Sequence, residues 1–163
     1  MFDTYVRCTG AGGSRERWIP TATLGGFNHF NSLSLSEDTL ARSGGEYYAS
    51  IGITERRNRR RWVSVAGWRP GFDVCCSPAA TIGGDIVAVS ARESGHLLLH
   101  ARHEGGRDKW GQVGAFNVGF YPGFYGLPVG ITGNTVLVGT YLDNTVDGFG
   151  AGAVRVYAVT QQR

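Results

Sequence analysis

A unit of roughly 47 residues is written into this chain about three times, so the fold must stack copies of one small supersecondary element. Its clearest mark is a hairpin with apolar residues on both sides of a tight turn. The hairpin spans Ser32 to Ala41, returns at Ala79 to Val89, and appears again at Val129 to Val138. The polar turn residues Asp38, Asp85 and Asn134 stand 47 and 49 apart. Trp18, Trp62 and Trp110 recur at spacings of 44 and 48. A Gly-Phe pair precedes each hairpin, at Gly26-Phe27, Gly71-Phe72 and Gly123-Phe124.

Each unit divides into four strand-like pieces. In the second, Ala79 to Ile82 and Ile86 to Ser90 flank the turn Gly83-Gly84-Asp85. His96 to Arg102 makes the third strand, and Lys109 to Val113 opens the fourth. The same third and fourth pieces occur at Tyr47 to Thr54 with Arg61 to Val65, and at Thr4 to Cys8 with Arg17 to Pro20. Val6, Ser50 and Leu98 each lie twelve residues before their tryptophan, which predicts one hairpin register used three times.

The expected division is one repeat domain over 1–163, with orphan third and fourth strands in 1–25. The repeats then occupy 26–70, 71–122 and 123–163, the last without its fourth strand. The pattern predicts an all-β chain of thirteen strands, in the form of a β-propeller with about three four-stranded blades. Propellers carry about four to eight blades, so ring completion by oligomerisation is expected, with six blades per dimer the favoured arrangement. An open head-to-tail assembly is the other outcome of the same geometry.

Composition agrees with short strands and tight turns: the chain has 26 glycines and 5 prolines. No run is long and apolar enough for a membrane-spanning helix, and the N-terminus lacks the pattern of a secretory signal. The net charge of +3 rests on fifteen Arg and one Lys, which does not itself point to nucleic acid. Cys8, Cys75 and Cys76 match neither a disulfide framework nor a zinc spacing. No nucleophile elbow, HExxH pair or phosphate loop is present, and no catalysis is expected.

In its hairpin, Gly-Phe pair and tryptophan strand, the chain resembles the FG-GAP family of β-propeller repeats found in integrin α-chain heads. The best copy runs through Phe124-Tyr125-Gly126, Gly133-Asn134-Thr135-Val136-Leu137-Val138-Gly139-Thr140 and Gly152-Ala153-Val154-Arg155-Val156-Tyr157. The family's Gly-Ala-Pro is replaced at Ala41-Arg42-Ser43, Val89-Ser90-Ala91 and Gly139-Thr140-Tyr141. The resemblance implies a secreted or cell-surface setting. It also implies a calcium loop, whose nearest match is Asp143-Asn144-Thr145-Val146-Asp147-Gly148, with Asp143, Thr145 and Asp147 as ligands. Val154 stands where a bidentate Glu would complete such a loop, and a polar connection between strands is the competing reading. No other cofactor is expected.

Two further sets of residues are candidates for ligand contact. Arg56, Arg57, Arg59, Arg60 and Arg61 cluster in a predicted hairpin tip that either grips oxyanions or is simply solvated. Trp110, Tyr121 and Tyr125 are candidates for stacking on a sugar, against the alternative that such rings pack blade on blade. His96 and His100 share one face of one strand about 13 Å apart, too far to hold a metal together, and read as ordinary polar residues. The expected function is a non-catalytic binding or structural module, self-associating and presenting loops to protein or glycan. A carbohydrate-binding propeller and a strand-exchanged filament are the alternatives.

Overall fold

The computed structural model describes residues 2–8, 17–24, 30–44, 50–58, 61–69, 78–91, 95–107, 109–119, 127–141 and 143–159. Among them are thirteen strands and no helix: β1 (Phe2–Cys8), β2 (Arg17–Leu24), β3 (Phe30–Ser36), β4 (Thr39–Gly44), β5 (Ser50–Asn58), β6 (Arg61–Trp68), β7 (Ala79–Gly83), β8 (Ile86–Ala91), β9 (His96–Arg102), β10 (Trp110–Asn117), β11 (Val129–Thr132), β12 (Thr135–Thr140) and β13 (Ala153–Ala158). They form antiparallel meanders in chain order: β1-β2, sheet I (β3 to β6), sheet II (β7 to β10) and sheet III (β11 to β13). All-β architecture is therefore as the sequence predicts, with three of the antiparallel sheets holding three or four strands each. The Gly-Phe pairs and the adjacent Cys75-Cys76 lie outside the described residues.

One backbone bond fixes how the repeats correspond. The N–H of Arg56 donates to the carbonyl of Asp38 at 2.8 Å, that of Arg102 to Asp85 at 2.9 Å, and that of Val159 to Asn134 at 2.7 Å. Each clips the end of a third strand to the turn of the first hairpin, so Arg56, Arg102 and Val159 are equivalent positions. The turns match too: Glu37, Gly84 and Gly133 all have positive φ, at 50°, 57° and 53°. Sheet I places a glutamate where its two successors use glycine, which accepts that conformation without strain.

The equal twelve-residue spacing before each tryptophan does not mark structural equivalence. The cross-strand partners of Trp18, Trp62 and Trp110 are Arg7, Arg56 and Arg102. The strands keep their pairing while the connecting tips differ in length, and bulges between Ile53 and Thr54 and between Gln112 and Gly114 absorb the rest.

The sheets stack face against face, with the first strands β3, β7 and β11 as successive neighbours. Alternation along each strand then gives every sheet a trailing face toward the next sheet and a leading face toward the one before. Between sheets I and II, Ala41, Ile51 and Ile53 meet Ala80, Ile82, Val87, Val89 and Leu98. Between sheets II and III, Ile86, Ala88, Leu97 and Leu99 meet Val136 and Val138, with Ile131 and Tyr157 alongside. Sheet II contributes both faces, so its strands are nearly continuous apolar runs.

Polar struts set the spacing along the first strands. Ser32, Ser34 and Ser36 alternate on β3 and accept the N–H groups of Ala80, Ile82 and Gly84 at 2.6, 3.0 and 2.9 Å. Each of these bonds spans 48 residues, close to the repeat itself. Ser43 donates to the Pro78 carbonyl at 2.5 Å, and the equivalent Ser90 donates to the Leu127 carbonyl at 2.6 Å. At the second junction a close approach replaces the serine comb. A Cβ on Gly83 would stand 2.4 Å from the Ile131 side chain, so glycine is required there.

Candidate functional site

The fourth strand of one sheet meets the third strand of the next, and aromatic rings gather at that seam. Trp68 on β6 lies 4.5 Å from the ring of His100 on β9, tilted by 33°. The equivalent pair at the next seam is Phe116 on β10 with Tyr157 on β13, at 5.1 Å and 44°. A cleft of about 440 Å3 runs along the first seam, lined by Trp68, His100, Trp110, Lys109, Gln112 and the β6 backbone around Gly67.

His100 is only 7% exposed, and its Nδ1 has no hydrogen-bond partner. The indole Nε1 of Trp68 is likewise buried and without one. Burial pulls the His100 pKa from the ordinary 6.5 down to about 4, so the ring is neutral at physiological pH. The cleft thus offers two indole surfaces, a neutral imidazole, one ammonium group and one amide. It suits a ligand with an apolar face and hydroxyl edges better than an anion. Reading His100 as an ordinary polar face residue is corrected by this burial. A signal was present in the sequence: Trp68 follows Trp62 by six residues, as Phe116 follows Trp110.

Trp110 is placed at this cleft, but it also has a structural task. The Arg102 guanidinium lies 5.4 Å from its ring centre, and Arg102 pairs with Glu55 at 2.7 Å and with Asp85 at 2.9 Å. Sheet I repeats the arrangement: Arg56 lies 5.9 Å from the Trp62 ring centre, and its Nε donates to Asp38 at 2.7 Å. In sheets I and II the turn acid, arginine and tryptophan are therefore one packed device, with Arg102 extending it across to sheet I through Glu55.

The arginine cluster is divided by the fold. Glu55 to Asn58 belong to β5 and Arg61 to β6, so the tip is shorter than the sequence implies. Arg56 is held by Asp38, and Arg57 pairs with Glu55 at 3.1 Å. Arg61 is exposed, while Arg59 and Arg60 lie outside the described residues, as do Tyr121 and Tyr125.

In the loop after β12, the Asp143 carboxylate accepts from Thr140 Oγ1 at 2.8 Å and from Arg155 at 2.9 and 3.1 Å. That hydrogen bonding and charge raise the Arg155 pKa. Thr145 Oγ1 accepts the Asp147 N–H at 3.2 Å, and Asn144 accepts the Gly150 N–H at 2.9 Å. Asp143 Oδ2 and Thr145 Oγ1 are thus engaged in holding the loop, and an arginine already faces Asp143. Among the described residues no group of three or more His, Cys, Asp or Glu side chains gathers as a metal site, and no helix is long and apolar enough to cross a membrane. No family model, curated protein or solved structure matches the chain.

Proposed function

We propose that the chain is a non-catalytic binding module, built as consecutive blades of a β-propeller, that holds a neutral saccharide between sheets I and II. The observation that carries this reading is the cleft itself, with Trp68, Trp110 and neutral His100 around one hollow seam. Sugars present C–H faces to indole rings and hydroxyls to polar side chains, and this cleft supplies both kinds of surface. The meander sheets and their contact through successive first strands support the blade assignment. The resemblance to FG-GAP repeats points the same way. No converging carboxylate pair or activated nucleophile in the cleft argues for chemistry, and a rigid seam favours recognition.

Saturation-transfer NMR and tryptophan fluorescence against a panel of neutral mono- and oligosaccharides test the proposal. Binding in the millimolar range or tighter is expected, with Trp68→Ala weakening it about tenfold or more. Failure of every sugar to perturb either signal in folded protein, or binding indifferent to Trp68→Ala, overturns it.

A further inference from the structure

The trailing face is covered in sheets I and II and open in sheet III. There Leu137, Val154 and Val156 are 38%, 67% and 65% exposed. Register places them at the positions of Ala41, Ile51 and Ile53 in sheet I and of Ala88, Leu97 and Leu99 in sheet II. Those six equivalents are between 0% and 2% exposed, because a following sheet packs on them. The leading side of sheet I is no counterpart for the open face on a second copy. Leu40 and Thr54 on that side are already 2% and 3% exposed, leaving Leu33 and Leu35 of β3 to face water. Among the described residues, the trailing face of sheet III is the sheet face that stands open.

Like can meet like on this surface. No charged side chain stands on it: the middle cross-strand row is Gly130, Leu137 and Val156, and the rows beside it hold threonine, glycine, valine and alanine. Arg155 alternates to the other face of β13 and is held by Asp143 at 2.9 Å. Bulk is uneven across the row. A Cβ at Gly130 on β11 would meet nothing within 4 Å, whereas Val154 and Val156 project from β13. A twofold axis lying along the strands sets β13 of one copy over β11 of the other and keeps the rows in line. Val156 then enters the recess at the partner's Gly130, and Leu137 meets the partner's Leu137.

We infer that two copies of this chain dock through the trailing faces of their sheets III, with β13 of each over β11 of the other. The contact is isologous and closes at two chains. It repeats between copies the sheet-on-sheet packing that the chain makes twice within itself. Burying leucine and valine side chains that now face water supplies the driving force. Three strands of up to six residues present a face of roughly 300 Å2, against roughly 800 Å2 per partner in a standard interface, so the dimer is a weak one.

Light scattering on a sizing column, from about 10 µM to about 1 mM protein, tests the inference. The wild type is expected to rise from the 17.5 kDa chain mass toward twice that value. Val156→Asp and Gly130→Lys each place an unpaired charge in the contact. Each is expected to keep the wild-type circular dichroism and to associate at least about tenfold more weakly. An equimolar mixture of these two variants is expected to dimerise again. One half of its contact then pairs the new carboxylate with the new ammonium group, and the other half is wild type. Leu35→Asp, on the far side of the stack, is expected to dimerise as the wild type does. A wild type monomeric throughout the range overturns the inference, as does an assembly larger than two chains. So does a dimer indifferent to Val156→Asp or lost on Leu35→Asp, and so does a mixture that stays monomeric.

Discussion

At the scale of single residues, His100 shows how one repeated position takes different chemistry. The third-strand position holds Thr54 in sheet I, His100 in sheet II and Tyr157 in sheet III. Burial lowers the pKa of the histidine to about 4. A depressed histidine pKa means that the unfolded chain takes up the proton first. Stability is therefore unaffected above about pH 6.5 and is lost as pH falls from there toward 4. Allowing for water in the adjoining cleft, the loss amounts to about 2 kcal/mol. Thermal unfolding followed at pH 7, 5.5 and 4 should show this loss in the wild type. His100→Tyr, which borrows the residue of sheet III, should show a shallower fall over the same window. Equal slopes would mean that the ring is not desolvated in the fold.

At the scale of elements, the serine comb on β3 explains why an alternating Ser-Leu run begins the first hairpin. Leu33 and Leu35 face away from sheet II and stay 48% and 59% exposed, while the serines replace a strand ladder with side-chain struts to β7. Alternation was legible in the sequence, and so were the hairpins and the three-fold repetition, because period-two patterning and turn residues act locally. What the serines bond to was not legible, since their partners lie 48 residues away. The tryptophan cleft was hidden for a similar reason. Trp110 stood out by recurrence, yet Trp68 and His100 acquire their meaning only when two sheets meet. Equal spacing misled where tip lengths vary. The comb's energetics should be graded by burial: Ser34→Ala leaves the Ile82 N–H without its acceptor in a partly buried setting, at about 1–2 kcal/mol. Ser36→Ala at the exposed end should cost less than about 0.5 kcal/mol, because water takes its place. Chemical denaturation of the two variants checks the order, and equal costs would contradict strut function.

At the scale of the whole molecule, sheet II decides whether the stack unfolds as a unit. Val87, Val89 and Leu98 belong to the core shared with sheet I, while Ile86, Ala88, Leu97 and Leu99 belong to the core shared with sheet III. A sheet only one layer thick cannot lose one face and keep the other, because the same strands carry both sets of side chains. Repeat proteins couple their units through such interfaces, and here the middle unit has no independent interior. Leu99→Ala removes a side chain 2% exposed in the core shared with sheet III and should cost about 2–5 kcal/mol. Trp68 and Trp110 report from the other core, which Leu99 does not enter. If the sheets are coupled, the Trp68 and Trp110 fluorescence transition moves to lower denaturant by as much as the far-ultraviolet circular dichroism transition. If sheet III melts alone, the two transitions separate, with the fluorescence midpoint unmoved.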